Sequence, residues 1–521
     1  MEKPDVERAE TRGLKLIRNI LEYLEYDAAN YGEKSALADE NRSYTYAQWL
    51  DFSRRIGSAL GRRSAMNRPI GVYMDKNADD LLAFMGIVQA GCFYVLFNTD
   101  FPESRLNQIQ SVLQTEYIIV DEEHREMAEK LLDGKKDHVL LLSDLMKEEE
   151  DAVLLKTIRD RAIDTDPLYA NFTSGSTGVP KGVVVGHRSV LDFIELFVPM
   201  FGIDETDIIA NQAPFDFDVS VKDIYSALKA AATLVVVPRR FFSKPVDLLD
   251  FLCEKKITTM VWAVSALCLI TTFHGLDYKT PDTVKRVLFS GEVMPYKHLK
   301  TWMEKLPDAE FVNLYGPTEI TCNCTYHRIS RDRDYSEKIP IGRAFPNEHV
   351  FLLDENDKEV TEPGKTGEIC VRGSALALGY FRNPAQTEAA FVVNPLNPCY
   401  PERIYRTGDL GQYAEDGEML FCGRKDFQIK YMGHRIEIEE IERAISDVNG
   451  VERCCVIFEE AKQRLYGFYV GSIDKKDLHT VLSERLPIYM IPGTLKSIES
   501  FPLTKNGKID RKLLLEKKNQ K

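Results

Sequence analysis

The chain has 521 residues, of which 44% are hydrophobic and 28% charged, so it is long enough for two or more globular domains. Its 67 Lys and Arg against 81 Asp and Glu give a net charge of −14, which argues against a general nucleic-acid-binding surface. The ten cysteines lack the spacing of a zinc site or a disulfide framework. The sequence shows neither an apolar run near the ~20 residues of a membrane helix nor an apolar signal segment. It therefore predicts a soluble, cytoplasmic protein that binds neither nucleic acid nor membranes.

The first half of the chain predicts alternating strands and helices. A strand is expected at 70–74, a helix at 79–89, and further strands at 117–120 and 139–142. The charged stretch 147–166 lacks clear apolar periodicity and is predicted to be a surface connector. From Leu168 onward, helical patterns separate strands at 208–212, 234–238, 258–263, 286–290 and 310–314. This alternation indicates an α/β architecture with parallel strands.

Two changes in the pattern of predicted secondary structure divide the rest of the chain. After about Lys338, short strand-rich segments with turn signals predict a small distorted β-barrel packed on the α/β part. A second break near 423–426 precedes a predicted helix at 436–445 and strands at 453–458 and 465–470, which indicate a small α+β lobe. Residues 425–521 carry 18 Lys and Arg against 15 Asp and Glu, so the sign of the charge reverses there. We therefore predict an N-terminal core at 1–425 and a C-terminal lobe at 426–521.

A glycine-rich loop follows the predicted strand near Leu168. Residues 169–182 read Y-A-N-F-T-S-G-S-T-G-V-P-K-G. Glycine permits positive φ and a close approach of backbone to a ligand, and successive N–H groups in such a turn bind anions. Hydroxyl groups and Lys181 suit a phosphate. Gly178 and Lys181 are not adjacent, so this is not the G-x-x-x-x-G-K phosphate loop. The alternative is a surface linker, which the lysine and the flanking strand argue against.

Four more stretches follow this loop in a fixed order. They are N-L-Y-G-P-T-E at 313–319, Y-R-T-G-D at 405–409, G-R-K-D-F-Q-I-K-Y-M-G-H-R-I-E at 423–437 and P-L-T-K-N-G-K-I-D at 502–510. Together with the loop they resemble the motifs of the adenylate-forming superfamily, which includes acyl-CoA synthetases, luciferases and the adenylation domains of peptide synthetases. The resemblance covers nearly the whole chain. The early stretch at 91–102 departs from the sequence motif usual in the family. That stretch has a structural role, so the departure does not affect a catalytic step.

The resemblance implies that the chain binds ATP and Mg²⁺. Tyr315 would stack on adenine, Thr318 would contact the α-phosphate, and Glu319 would hold Mg²⁺, which commonly takes one or two carboxylates plus phosphate oxygens. Asp409 would clamp the ribose, since a carboxylate can accept both hydroxyl hydrogen bonds of the 2′,3′-diol. The ATP-binding residues implied are Thr173, Ser174, Gly175, Ser176, Thr177, Gly178, Lys181, Tyr315, Asp409 and Arg424.

The same resemblance assigns roles to the C-terminal lobe. Lys508 would reach into the ATP site and neutralise charge as it develops on the α-phosphate, and it forms the catalytic set with Thr318 and Glu319. Asp426 occupies the family's hinge position, about which the lobe would rotate after adenylation. Gly433 would then border the tunnel for a phosphopantetheine chain.

The run F-D-V-S-V-K-D-I-Y at 217–225 points to the substrate. Amino-acid-activating members of the superfamily carry F-D-x-S here, and the aspartate pairs with the α-ammonium of the substrate. Asp218 fits this role, because a buried carboxylate without a cation is costly. Asp216 is a competing candidate, but Val219 and Ser220 fix the register on Asp218. A surface role for Asp218 is the alternative.

Lys222 lies four residues after Asp218, one helical turn further on. It coincides with a specificity position of the superfamily, where a cation would suit an acidic side chain such as glutamate. The alternative is an exposed surface pair of Lys222 and Asp223. Ser290 stands where D-alanine:carrier-protein ligases have cysteine, which argues against D-alanine. The substrate-pocket residues implied by the resemblance are Asp218, Val219, Lys222, Val261, Leu288, Ser290, Leu314, Cys322 and Asn323.

These features predict a stand-alone amino-acid adenylation enzyme that transfers the aminoacyl group to a separate carrier protein. Eleven residues follow Asp510, so the phosphopantetheine thiol is expected to come in trans, and the basic C-terminal lobe would complement an acidic carrier. One alternative is a ligase that passes the adenylate to CoA or a small amine. Another is a catalytically silent nucleotide-binding subunit, against which the intact motif residues argue.

Overall fold

The structure is a computed structural model that describes residues 16–175, 179–425, 428–502 and 509–516. Its α-helices are α1 (Leu21–Tyr31), α2 (Tyr46–Gly61), α3 (Asp79–Gln89), α4 (Glu103–Leu113), α5 (Arg125–Leu131), α6 (Leu142–Leu145), α7 (Ala152–Arg161), α8 (His187–Met200), α9 (Val219–Ala230), α10 (Pro245–Glu254), α11 (Val264–Thr272), α12 (Gly275–Tyr278), α13 (Tyr296–Lys305), α14 (Pro384–Ala390), α15 (Ile438–Ser446), α16 (Lys475–Ser483) and α17 (Arg511–Glu516). Within these ranges, none of the helices has the length and apolar character needed to cross a membrane.

The strands up to the end of the α/β part are β1 (Ser35–Ala38), β2 (Ser43–Thr45), β3 (Pro69–Tyr73), β4 (Phe93–Leu96), β5 (Ile118–Val120), β6 (Val139–Leu141), β7 (Pro167–Thr173), β8 (Lys181–Gly186), β9 (Ile208–Asn211), β10 (Thr233–Val236), β11 (Thr259–Ala263), β12 (Arg286–Ser290), β13 (Glu310–Tyr315), β14 (Thr325–Arg328) and β15 (Arg343–Ala344). The later strands are β16 (Glu348–Leu353), β17 (Thr366–Gly373), β18 (Gly379–Tyr380), β19 (Phe391–Val393), β20 (Arg403–Tyr413), β21 (Met419–Arg424), β22 (Gln428–Tyr431), β23 (His434–Glu437), β24 (Val451–Glu459), β25 (Arg464–Gly471) and β26 (Thr494–Ser497).

Two large sheets form the N-terminal part. One has seven strands in the order β18-β8-β7-β4-β3-β5-β6, and the other has nine in the order β15-β14-β13-β12-β11-β9-β10-β1-β2. In the nine-stranded sheet, β1, β10, β9, β11, β12 and β13 pair in parallel, as the alternation of strands and helices predicted. Among these parallel strands, β11 is buried throughout, and β12 and β13 are buried except for their first residues. Such burial is typical of parallel sheets covered on both faces.

A smaller antiparallel sheet and the C-terminal elements complete the fold. Strands β16, β17, β20, β19 and β21 form a five-stranded sheet in the part of the chain after Lys338, where a small distorted β-barrel was predicted. The hairpin of β22 and β23 and the three-stranded sheet of β24, β25 and β26 follow. Helices α15 and α16 pack on this three-stranded sheet around a cluster of buried hydrophobic side chains from within residues 436–491. The α/β class with a small α+β part is confirmed, whereas the boundary at 425/426 stays a prediction.

Two sequence predictions of local structure are wrong. The stretch 147–166, predicted to be a surface connector without clear apolar periodicity, contains helix α7, which the Asp151 side chain caps by accepting a hydrogen bond from the Leu154 N–H. Only Leu155 and Ile158 of this helix are buried, so its apolar stripe is too narrow to stand out among the charges. The helix predicted at 436–445 begins at Ile438, because the preceding residues pair with β22 as strand β23.

Candidate active site

The motifs meet where strands of the nine-stranded sheet end. Strand β12 ends at Ser290 and β13 at Tyr315, and parallel strands bring such ends to one edge of a sheet, where α/β folds bind ligands. The small cavity at this edge is lined by Phe217, Asp218, Val219, Ser290, Gly291, Gly316, Pro317, Thr318, Cys322, Asn323, Asp409, Arg424, Lys430, Gly433 and Arg435. Four of the five motifs therefore lie at or beside one site.

The glycine-rich loop joins the antiparallel strands β7 and β8, in which Thr173 is opposite Lys181. Gly175 packs against the loop's own backbone, and a Cβ there would lie 2.0 Å from the Val179 carbonyl oxygen, so this position requires glycine. The predicted phosphate ligands Ser176, Thr177 and Gly178 lie outside the described residues.

Two of the described polar groups of this loop, Ser174 and Lys181, contact the β22–β23 hairpin. Ser174 Oγ donates to the Arg435 carbonyl oxygen at 2.7 Å and accepts from the Glu437 N–H at 3.2 Å. Lys181 Nζ lies 3.7 Å from Glu437 Oε1. Burial lowers the pKa of Lys181, and the nearby Arg435 lowers it further, while Glu319 and Glu437 oppose the shift. The groups predicted to hold phosphate are thus bound by C-terminal residues.

Glu319 lies in a single 3-10 turn that directly follows Pro317 and is completely buried. Its carboxylate accepts from Arg435 Nη1 at 2.9 and 2.8 Å and from the Tyr380 hydroxyl at 2.8 Å. Burial opposes its ionisation, but the charges of Arg435 and Lys181 outweigh burial and lower the pKa of Glu319 to about 2. Glu319 is therefore a carboxylate at neutral pH, although a cationic side chain now occupies both of its oxygens.

Asp409 and Tyr315 form a buried group at the other end of the cavity. The Tyr315 hydroxyl donates to Asp409 Oδ2 at 2.6 Å, and Arg424 Nη1 donates to Asp409 Oδ1 at 2.5 Å. Asp409 lies opposite Arg424 in the β20–β21 pairing, so the register of these strands creates the contact. Lys430 Nζ lies 5.2 Å from the centroid of the Tyr315 ring. The predicted adenine, ribose and nucleotide contacts are thus adjacent.

Asp218 lies immediately before helix α9 and is 7% exposed, so the surface alternative for this residue is wrong. Burial raises the pKa of Asp218, against a hydrogen bond from Thr318 and the positive charge of Lys222. The competing Asp216 instead accepts two hydrogen bonds from Asn98 Nδ2, at 3.2 and 3.1 Å. These contacts agree with the register that places Asp218 in the cavity.

Lys222 is also buried, and its side chain crosses from helix α9 to the ends of β12 and β13. Its Nζ donates to Asn323 Oδ1 at 2.6 Å and to Ser290 Oγ at 3.1 Å. Lys222 and Asp223 are both 0% exposed, so the alternative of an exposed surface pair is wrong. Asp223 accepts a hydrogen bond from Asn211 Nδ2 at 2.7 Å.

The remaining predicted pocket residues divide into two groups. Cys322 and Asn323 lie at a turn whose backbone is left-handed at Thr321 and Cys322, with φ of 54° and 77°. Cys322 Sγ donates to the Asp218 carbonyl oxygen at 3.0 Å. Both line the cavity, as does Val219. Val261, Leu288 and Leu314 are buried in the main hydrophobic core next to it, and their contact with a substrate stays a prediction.

Gly433 is placed at the cavity by the β22–β23 turn, with φ of 80°. Its N–H donates to Glu292 Oε1 at 2.5 Å, which joins the turn to the end of β12. A Cβ at Gly433 would lie 3.7 Å from the Ala263 Cβ and 3.8 Å from Phe217 Cε1. The predicted hinge Asp426 and the predicted catalytic Lys508 lie outside the described residues.

Two family models match the sequence, and both agree with this geometry. Residues 24–381 match the AMP-binding enzyme family, and residues 440–508 match the AMP-binding enzyme C-terminal domain. The chain belongs to the AMP-binding enzyme family. The predicted membership of the adenylate-forming superfamily is thereby confirmed.

Relatives within this AMP-binding family include both single ligases and large synthases. A D-alanine–D-alanyl carrier protein ligase of Lacticaseibacillus casei (strain BL23) is 30% identical over 521 residues, which cover 97% of this chain and 100% of the ligase. Tyrocidine synthase 1 of Brevibacillus parabrevis is 29% identical over 508 residues, which cover 96% of this chain and 45% of the synthase. The chain thus spans a whole ligase but about half of that synthase.

Solved structures of similar fold agree. The crystal structure of IdnL1 has a TM-score of 0.79 and 27% identity, covering 95% of this chain and 100% of IdnL1. Holo-PA1221, a nonribosomal peptide synthetase protein with adenylation and carrier domains, has a TM-score of 0.81 and 24% identity over 96% of this chain and 84% of its own. At that identity, the likeness to PA1221 supports the fold alone.

For this member of the AMP-binding family, sequence reasoning missed the residues with which the C-terminal part enters the site. Arg435, Glu437 and Lys430 received no role, although the motif at 423–437 was recognised. A signal was present, because residues two apart on a strand share a face, and Arg435 and Glu437 alternate along β23. A second missed contact is the buried ion pair between Arg105 of α4 and Glu440 of α15, at 2.6 Å.

Proposed function

We propose that this enzyme activates an amino acid with ATP and transfers the aminoacyl group to the phosphopantetheine thiol of a separate carrier protein. In the first step, a carboxylate oxygen of the amino acid attacks the α-phosphorus of ATP, and the bond to pyrophosphate breaks. In the second step, the thiolate attacks the acyl carbon, a thioester forms, and AMP leaves with the electron pair of the broken acyl–oxygen bond. Neither step needs a protein nucleophile, so the chain contributes positioning and charge neutralisation.

The observation that carries this proposal is the buried carboxylate of Asp218 in the cavity beside Thr318. A carboxylate removed from water is costly unless a cation or hydrogen bonds compensate it. The α-ammonium of an amino acid would pair with Asp218 directly and add to the nearby charge of Lys222, whereas a fatty or aryl acid offers Asp218 no cation. Asp218 therefore favours an amine-bearing acid as substrate, in keeping with relatives named as ligases and peptide synthases.

ATP would be bound by the loop and by the group around Asp409. The loop would hold the phosphates through Thr173, Ser174 and Lys181, and Tyr315 and Asp409 would hold adenine and ribose. Glu319 fits Mg²⁺, because it is buried, ionised and able to offer two carboxylate oxygens once Arg435 leaves. Bound there, Mg²⁺ would neutralise phosphate charge. By the family resemblance, Lys508 would add a positive charge at the reacting carboxylate and α-phosphate.

The placement of the β22–β23 hairpin supports the second step. With Arg435 on Glu319 and Glu437 near Lys181, the hairpin fills the position proposed for the triphosphate. Gly433 is then at the cavity, where the resemblance expects the pantetheine chain. These contacts support a state that would follow loss of pyrophosphate, in which the small lobe would be turned for transfer.

The test is amino-acid-dependent exchange of pyrophosphate into ATP, followed by transfer of radiolabelled amino acid to a phosphopantetheinylated carrier protein. Wild-type enzyme should show exchange with at least one amino acid. Asp218→Asn should lower kcat/KM for that amino acid by about 100-fold while ATP binding persists, because a buried ammonium loses its partner. Asp216→Asn is the matched control and should change exchange little, since an asparagine can still accept from Asn98.

A second pair of variants addresses the small lobe. Lys508→Ala should lower exchange by about 100-fold or more, as expected for loss of one preorganised charge. Lys512→Ala, an exposed lysine of α17, is its control. Exchange that survives Asp218→Asn undiminished, or that occurs with simple carboxylic acids lacking an amine, would contradict the proposal.

A further inference from the structure

A buried ammonium group lies one helical turn beyond Asp218 on helix α9. Lys222 is 0% exposed, and the hydrogen bonds of its Nζ go to Ser290 Oγ and Asn323 Oδ1, both of which are neutral acceptors. An ammonium has three N–H donors, so these two bonds leave one donor for a further partner. Ser290 and Asn323 line the same cavity as Asp218.

Three acidic or thiol groups lie near Lys222, namely Asp218, Asp223 and Cys322, and among the described residues none of them accepts a hydrogen bond from its Nζ. Asp223 accepts its hydrogen bond from Asn211 instead, and burial raises its pKa against the positive charges of Lys222 and Lys76. Burial also raises the pKa of the Cys322 thiol well above its usual value, and the thiol donates to a backbone carbonyl. Asp218 remains, but the proposed function assigns it to the α-ammonium of the substrate.

With a neutral side chain on the substrate, Asp218 would pair with the substrate's α-ammonium and the Lys222 ammonium would keep only its neutral hydrogen-bond acceptors. A buried charge without a counter-charge is strongly unfavourable. Burial already lowers the pKa of Lys222, which shows the direction of that cost. An anionic group on the substrate would remove this cost by accepting a hydrogen bond from the remaining N–H of the Lys222 ammonium.

We propose that the substrate is an amino acid whose side chain ends in a carboxylate, and that Lys222, held by Ser290 and Asn323, binds that carboxylate. This inference rests on the proposed function and names the substrate class of the same site. Asp218 and Lys222 lie one helical turn apart. Asp218 would then bind the α-ammonium of the substrate, and Lys222 would bind its side-chain carboxylate. The full-length relatives are named for D-alanine, whose methyl group offers nothing to a buried ammonium.

The test compares acids with their amides in ATP–pyrophosphate exchange. Wild-type enzyme is assayed with the L- and D-forms of aspartate, glutamate and 2-aminoadipate, with asparagine and glutamine, and with D-alanine. The best dicarboxylic amino acid should exceed its amide or the alanine by about 100-fold or more in kcat/KM, because a site built around a polar contact rejects an analogue that cannot make it.

Two variants of Lys222 and one control connect this preference to the residue. Lys222→Met keeps the length of the side chain and removes its charge, so it should abolish the preference of acid over amide. Lys222→Arg keeps the charge and should retain a preference for acids. Lys229→Met, on the same helix with its side chain paired to Glu195, should leave the preference unchanged. The wild-type panel decides the question even if one variant fails to fold.

The outcomes separate this inference from the proposed function. Exchange that is as good with an amide or with D-alanine as with every acid would overturn the carboxylate inference and leave the proposed function standing. A preference for acids that survives Lys222→Met would overturn the role of Lys222. Silence with every amino acid, in an enzyme that still binds ATP, would overturn the proposed function and this inference together.

Discussion

Arg435 donates hydrogen bonds to both carboxylate oxygens of Glu319, at 2.9 and 2.8 Å, and joins the β22–β23 hairpin to the end of β13. Contacts between guanidinium and carboxylate of this kind are strong and directional. The same two oxygens are the ones proposed for Mg²⁺. A metal ion bound as proposed would therefore compete with Arg435 for Glu319, and the structure describes the placement in which Arg435 binds.

The first prediction concerns Arg435→Gln. Because the pair exists only while the hairpin lies in the site, the substitution should weaken that placement and slow transfer to the carrier thiol by about tenfold or more, as expected for loss of a charge-assisted contact. The ratio of transfer rate to exchange rate is the readout. Arg443→Gln, on the exposed side of α15, is the matched control. Equal losses in both steps would contradict a role specific to transfer.

The second prediction concerns acid stability. The folded-state pKa of Glu319 is about 2, below the usual 4.5, so the folded protein binds fewer protons than the unfolded chain. Its stabilisation is complete above pH 4.5 and is lost as the pH falls towards 2, and it amounts to about 3 kcal/mol at most.

Urea unfolding at a series of pH values measures this contribution. The stability difference between wild type and Glu319→Gln should be constant at pH 6 to 7 and should shrink as the pH falls below 4.5. Glu388→Gln, at an exposed residue of α14, is the matched control. A difference that grows on acidification would contradict the low pKa of Glu319.

The third prediction concerns the turn after β13. A Cβ at Gly316 would lie 2.5 Å from the Asn323 Cα and 2.6 Å from the Cys322 carbonyl oxygen, and both neighbours are backbone atoms that cannot rotate away. Gly316→Ala should therefore displace Cys322 and Asn323 and lower exchange by about tenfold or more, because misplacement of about 1 Å is costly for positioned groups.

Gly493→Ala is the control for this substitution, since a Cβ there would meet no atom within 4 Å. Exchange assays and melting temperatures should be measured for both variants. Normal exchange in Gly316→Ala would show that the turn tolerates the shift and that Asn323 does not need its observed position.

Sequence alone predicted the architecture and most of the site, but not how buried a residue is. Strand β12 and helix α3 were predicted at their observed ends, because long apolar periodic segments are local signals. Lys222 is different, because a Lys-Asp pair on a helix looks the same on a surface and in a core. Its burial depends on Ser290 and Asn323, which are 68 and 101 residues away in the chain. The entry of Arg435 into the site depends likewise on how the C-terminal part packs.

Ser174, Lys181 and Glu319 contact the hairpin in the described structure with the side-chain atoms proposed for ATP and Mg²⁺. Under the proposed function, each of these positions would be subject to two selective pressures during evolution. A substitution that tightened nucleotide binding at the expense of the hairpin would retard the second step, and the reverse change would retard the first. Variation during divergence should then be confined to paired changes, in which a replacement at one of these three positions accompanies a replacement at Arg435 or Glu437.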